Sequence, residues 1–142
     1  DVEEYLNKYN NDRISAYLRD YAFKYNSLED LIKTSYVIEM KLSNDYGNHF
    51  IEDLINASRY SIADVIGKRN VDGWKDNNAY STYEYEYVDS VIKDTALFKV
   101  QSIKDLTLYE FIDNQDNIMN KLFREKGCRI FSSDRFNFNS NE

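Results

Sequence analysis

Apolar residues at helical spacing dominate the first half of the chain, and between Ser27 and Gly67 they form two successive stripes. In the first, Ser27 stands as a hydroxyl N-cap before Leu28-Glu29-Asp30, from which Asp30 can reach back to the Ser27 backbone N–H. Leu28, Leu31, Ile32, Ile38 and Leu42, with Tyr36 at the flank, then fall within one broad sector of a helix. Asn44-Asp45-Tyr46-Gly47-Asn48 interrupts this pattern with turn chemistry. In the second stripe, Phe50, Ile51, Leu54, Ile55, Ser58, Ile62, Val65 and Ile66 share one face. Glu52, Asp53, Asn56, Arg59 and Asp64 lie largely on the other, and Gly67 stands where a left-handed C-cap belongs. Upstream, Val2, Tyr5, Leu6 and Tyr9 form a short run, and Ile14, Tyr17, Leu18, Tyr21, Ala22 and Tyr25 resume on a rotated face after Asn10-Asn11-Asp12. The spacing predicts two helices there, or one helix with a kink.

Beyond Gly67 the periodicity changes. Lys68–Asn78 has none and is full of turn formers, which predicts an exposed loop. In Ala79–Asp89, Tyr83, Tyr85 and Tyr87 alternate with Thr82, Glu84, Glu86 and Val88. Period two in β-favouring residue types predicts a strand with a tyrosyl face and a largely acidic one. Ser90–Ile103 admits two readings. Val91, Ile92, Thr95, Ala96, Lys99, Val100 and Ile103 fit a helix capped by Ser90, while Ala96–Ile103 fits a strand forming a hairpin with the tyrosine strand. Thr107-Leu108-Tyr109-Glu110 is a capping box. It opens a helix whose stripe is Leu108, Phe111, Ile112, Ile118, Met119, Leu122 and Phe123, ending at Gly127. Cys128–Phe131 reads as a short strand and Ser132–Glu142 as a tail or edge segment. Together these elements predict a mainly α (α+β) fold of five to six amphipathic helices, with a small β-hairpin or short sheet in the C-terminal half. They fit a single domain over 1–142: helical 1–67, loop 68–78, mixed α/β 79–131, tail 132–142.

Composition narrows the function classes. A net charge of −7 disfavours direct nucleic-acid binding and adhesion to anionic membranes, since both need clustered Lys and Arg. No apolar run has the length of a membrane span. One cysteine, Cys128, and one histidine, His49, rule out an internal disulfide and cannot supply a structural zinc site. A reducing, cytoplasmic setting and no cofactor are the expectations. Heavy use of Asn, Tyr, Ile, Lys and Asp is the codon signature of an AT-rich genome, as in many viruses, phages and low-GC bacteria.

Four features invite chemistry, each with a plain structural alternative. Glu39-Met40-Lys41 is an E-x-K triplet of the kind that Mg²⁺-dependent nucleases carry on a strand, with Asp30 as the upstream acid. On the helix predicted here, however, Glu39 and Lys41 would point to different faces. His49 sits at a helix N-terminus whose dipole would lower its pKa, with no nucleophile placed beside it. Cys128 reads as a buried free thiol. Gly67 and Gly73 flank Lys68, Arg69 and Lys75 but lack the spacing of a phosphate-binding loop.

The most unusual stretch is the tyrosine strand together with Trp74. Tyrosine and tryptophan supply large amphipathic contact area, and an edge strand can pair with a partner's strand. In the alternative, the rings pack on the helices and the glutamates face water. The expectation is a non-enzymatic protein-binding or inhibitor module of viral, phage or immunity/antitoxin type. It would act on another protein with a basic surface through Trp74, Tyr83, Glu84, Tyr85, Glu86 and Tyr87. The competing readings are an E-x-K nuclease and a structural piece of a larger protein.

Overall fold

The runs Val65-Ile66-Gly67 and Ile130-Phe131-Ser132 are buried along their whole length, and they lie side by side as parallel strands inside a sheet. The structure, a computed structural model, describes residue 4 and residues 27–69 and 83–141. In chain order the elements are α1 (Leu28–Leu31), β1 (Tyr36–Ile38), β2 (Asp45–Tyr46), α2 (Phe50–Tyr60), β3 (Val65–Gly67) and β4 (Glu86–Val88). They continue with β5 (Leu97–Lys99), α3 (Leu108–Phe111), α4 (Gln115–Glu125), β6 (Ile130–Ser132) and β7 (Phe138–Asn139). One 3₁₀ turn precedes β5 and another follows it. Five strands run in the order β1-β5-β3-β6-β4. All neighbours are antiparallel except β3 and β6, and β2 pairs with β7 in a separate ladder.

Register explains why such short strands hold together. Val37, Phe98, Val65, Ile130 and Val88 are aligned across all five strands. Their row packs against Leu28 of α1, Phe111 of α3, and Ile118, Met119 and Leu122 of α4. The neighbouring row, Ile38, Leu97, Ile66, Phe131 and Tyr87, emerges on the other face. There Phe50, Leu54 and Ala57 of α2 and Phe138 of β7 cover it. Each full burial of a Leu, Ile or Phe side chain is worth roughly 1.5–3 kcal/mol, so three residues per strand suffice when both faces are covered.

This architecture overturns the mainly helical expectation: among the described residues there are four α-helices, one five-stranded mixed sheet and one two-stranded ladder. A strand buried on both faces reads as a continuous apolar run, and three such residues mimic a helical stripe. Helix α1 is a single turn, and its N-cap Ser27 makes no side-chain capping bond. Instead the Leu28 N–H donates to Leu106 O at 2.6 Å, and the chain enters edge strand β1 where the helix was expected to continue. The second stripe does form a helix, with Phe50, Leu54 and Ala57 buried. It stops at Tyr60, where both the N–H and Oγ of Ser61 donate to Ala57 O. Val65 and Ile66 belong to β3. Gly67 is therefore no C-cap. It lies in the sheet where an added Cβ would stand 2.6 Å from Val91 Cγ2 and 3.0 Å from Thr95 Oγ1, so close packing rather than backbone conformation requires it.

The remaining corrections follow the same logic. Lys68, expected in an exposed loop, is fully buried. The tyrosine strand contracts to Glu86–Val88, because Tyr85 adopts a left-handed φ of 55° that ends the extended run. Of the two readings of Ser90–Ile103 the helix fails and the strand holds in part: the segment is a 3₁₀ turn, strand β5 and a second 3₁₀ turn. However, β5 pairs with β1 and β3 rather than with the tyrosine strand. The capping box at Thr107 is present, with Thr107 Oγ1 accepting from Glu110 N and Glu110 Oε2 accepting from Thr107 N. The helix it opens breaks after Phe111, where Asp113 takes a φ of 60°, and restarts at Gln115. Gly127, at φ 63°, supplies the expected left-handed end. The C-terminal segment, expected as a tail or an edge element, gives Ser132 to β6 and pairs Phe138–Asn139 with β2, with Phe138 buried. The N-terminal stripes, apart from Glu4, the remainder of the 68–78 loop and the start of the tyrosine stretch lie outside the described residues. Among the described residues, no helix is long and apolar enough to cross a membrane.

Candidate functional site

Strand β4 ends the sheet, with β6 on one side and no strand on the other among the described residues. Alternation sends Val88 toward the α4 side and Tyr87 toward the α2 side. There the Tyr87 ring meets Phe131 edge-to-face, with centroids 5.3 Å apart. Its hydroxyl accepts a hydrogen bond from the Ile62 N–H at 3.0 Å, and the Arg129 guanidinium lies 5.8 Å from its ring. From the end of α2, Tyr60 packs on the same Phe131 at 5.8 Å. Phe131 itself is buried, but this part of the surface is open to solvent: Tyr60 is 59% exposed, Ile62 77%, Tyr85 61% and Tyr87 51%.

Backbone geometry presents Tyr85. A left-handed φ is uncommon outside glycine, asparagine and aspartate, and here it turns the chain immediately before β4 and leaves the Tyr85 side chain largely exposed. Desolvation raises the Tyr60 phenol above its usual pKa, and nearby Tyr85 raises it further. Tyr85 is raised as well, first by desolvation and then by Asp134 and Glu84. Both hydroxyls therefore remain neutral hydrogen-bond donors through physiological pH.

The structure divides the residues singled out in the sequence. Tyr85 and Tyr87 join the patch. Tyr83 is half-buried, with the Arg69 guanidinium 5.6 Å from its ring. Glu84 Oε1 accepts from the Arg135 N–H at 2.9 Å, so that carboxylate is committed to the chain's own backbone. Glu86 is exposed on the face opposite Tyr87, and Trp74 lies outside the described residues. Sequence reading missed Tyr60 as a patch residue and placed Ile62 on a buried helical face. The adjacent Ser61, followed four residues later by the β-branched pair Val65-Ile66, was the available sign that the helix ends before Ile62.

The E-x-K residues sit just past the end of β1, on neither a helix nor a strand. Glu39 Oε2 accepts from the Asp113 N–H at 3.1 Å and from Gln115 Nε2. Lys41 Nζ lies 3.5 Å from Asp94 Oδ1 and 3.9 Å from Asp113 Oδ1. Both side chains tie the end of β1 to neighbouring segments, and among the described residues no group of three or more acidic, His or Cys side chains is arranged to hold a metal. His49, at the N-cap of α2, bonds Glu52 Oε2 through Nδ1 at 2.9 Å. That carboxylate raises the imidazole pKa, opposite to the lowering expected from the helix dipole alone.

Cys128 is half-buried. Desolvation raises its thiol pKa most, Asp64 adds to the rise, and Lys126 opposes it. The thiolate, the reactive form, is therefore scarce at neutral pH. Iodoacetamide modification of the folded protein is expected to accelerate with a pH midpoint above that of a free cysteine peptide. A midpoint at or below the peptide's would show that Lys126 dominates and that the thiol is activated.

Comparison with protein-family models gives no match for this chain, and comparison with curated proteins and with solved structures gives none either.

Proposed function

We propose that this chain is a non-enzymatic protein-binding module, an inhibitor or modulator that occupies another protein's surface through the aromatic patch at the β4 edge. The observation that carries the reading is the exposed group formed by Tyr60 and Tyr87 on the buried Phe131, Ile62 bonded to Tyr87, and Tyr85 near Tyr60. Large aromatics anchor interfaces because they bury much area while freezing few rotors. Among the described residues no strand pairs the outer edge of β4, which adds backbone donors and acceptors that a partner strand can pair. A net charge of −7 favours a partner with a basic surface, by steering its approach. A reducing intracellular setting suits the single free cysteine.

The test is affinity capture from extracts of the source or target cell, comparing wild type with Tyr60→Ser, Tyr85→Asn and Phe123→Ser. Asparagine is chosen at position 85 because it tolerates the left-handed backbone. Phe123 is an aromatic of comparable size, 42% exposed on α4. One stoichiometric partner retained by Phe123→Ser is expected to bind Tyr60→Ser or Tyr85→Asn more weakly by about 2 kcal/mol, roughly thirtyfold. Equal retention by all folded variants would sink the assignment of the face.

A further inference from the structure

On the other side of the sheet, a cavity of about 330 Å³ opens between α4 and the segment that follows β5. Ile103, Leu106, Ile118 and Leu122 give it an apolar lining; the first, third and fourth belong to the buried core and Leu106 to its packed margin. Lys104, Lys121 and Lys126 also line it, as does one carboxylate, that of Asp105. None of the three lysines makes an ion pair among the described residues. Lys121 and Lys126, near the C-terminus of α4, complement the helix dipole. Lys104 comes from a different segment, so the dipole gives no reason for its place beside them. Three ammonium groups against one carboxylate leave this apolar opening with a local excess of positive charge.

We propose that this cavity binds a small amphipathic anion, an apolar chain ending in a carboxylate. The chain lies on Ile103, Leu106, Ile118 and Leu122, and the headgroup lies among Lys104, Lys121 and Lys126. The size falls at the lower end of small-molecule sites, which characteristically combine apolar walls with a few convergent polar groups. An inorganic anion would leave the apolar lining unused, and a neutral lipid would leave the lysine charges uncompensated. In a chain whose net charge is −7, a local excess of positive charge at a cavity gives this one place a preference for anions. The inference is independent of the aromatic patch, which lies on the opposite face of the sheet.

Cys128 also lines the cavity and is the only cysteine in the chain, so its alkylation reports occupancy without ambiguity. The experiment measures the iodoacetamide rate at Cys128 in the full chain with increasing decanoate, decanol, propionate or inorganic phosphate. Each rate is expressed relative to the same protein without additive, because replacing Lys126 alters the thiol's own reactivity. Decanoate is expected to protect saturably, while the other three compounds protect weakly. Lys104→Gln/Lys121→Gln/Lys126→Gln, all at solvent-accessible positions that leave the core intact, is expected to weaken decanoate binding by about tenfold. That is the sum of three partly exposed charge contacts. Equal protection by decanol would reduce the site to a greasy surface, and equal protection by phosphate would remove the need for the apolar chain. Undiminished decanoate binding by the folded triple variant, or no protection at all, would overturn the proposal.

Discussion

Replacing Lys68 with methionine is expected to destabilise the protein by about 3–5 kcal/mol, the cost of leaving a buried charge without its partner. The Lys68 side chain is 0% exposed, and its Nζ lies 2.9 Å from Asp134 Oδ1, a carboxylate that is itself only 13% exposed. The same Nζ donates to Asp134 O at 3.1 Å and lies 5.7 Å from the centre of the Phe50 ring. Asp134 Oδ1 also accepts from the Phe136 N–H, so the pair clamps the chain leaving β6 onto the end of β3 and the start of α2. Asp134→Asn should also destabilise, because the ammonium keeps an oxygen partner but loses its countercharge. The double variant Lys68→Met/Asp134→Asn should then lose clearly less than the two single losses added together, as two groups in one ion pair require. Urea unfolding of the four proteins checks this. Additivity to within about 0.5 kcal/mol would mean that the two side chains act independently. Natural domains have about 5–15 kcal/mol in total, so either single variant should be visible as a large fall in the unfolding midpoint.

That a lysine could occupy such a place was not legible in the sequence. Lys68 follows Gly67 and precedes a stretch of turn formers, which is the pattern of a solvated loop. Its burial depends on Asp134, far along the chain, and no local periodicity carries that information. The same limit applies to β3 and β6. Their parallel pairing joins segments more than sixty residues apart, and each shows only as a short apolar run. What local physics governs was readable: the body of helix α2, the Thr107 capping box and the left-handed end at Gly127. Each is decided by residues within a turn or two of one another.

The candidate surface was half legible. Alternating tyrosines do mark a strand at the sheet edge, and Tyr85 and Tyr87 are exposed there. Strict alternation would have put Tyr83 beside them. The left-handed backbone at Tyr85 breaks the period, and Tyr83 ends against Arg69 instead. Glu84 and Glu86 looked like one acidic face, yet the first caps a backbone N–H and only the second is free to meet solvent across from Tyr87. The missing members, Tyr60 and Ile62, come from the end of α2. They reach the patch only because the β3–β6–β4 register brings Phe131 between Tyr60 and Tyr87.

Phe98→Ala is expected to cost about 3–5 kcal/mol, as for a large aromatic removed from a core that cannot collapse around the void. Phe98 is 0% exposed. It is flanked in register by Val37 and Val65 and meets Phe111 edge-to-face at 5.3 Å. Lys99, the next residue, is exposed, so Lys99→Ala should change stability by no more than about 0.5 kcal/mol. The pair separates the sheet from its strongest rival. A helix over Ser90–Ile103 would place Lys99 on the apolar stripe with Thr95, Ala96, Val100 and Ile103 and leave Phe98 off it, which would invert the order of the two losses. Strand β5 lies between edge strand β1 and central strand β3, so Phe98 meets Val37, Val65 and the α3 helix together. A loss at Phe98 below about 1 kcal/mol, or one no larger than at Lys99, would remove the five-stranded arrangement. A steep loss at Phe98 beside a silent Lys99 would fix β5 in place, and with it the register that assembles the aromatic patch at the far edge.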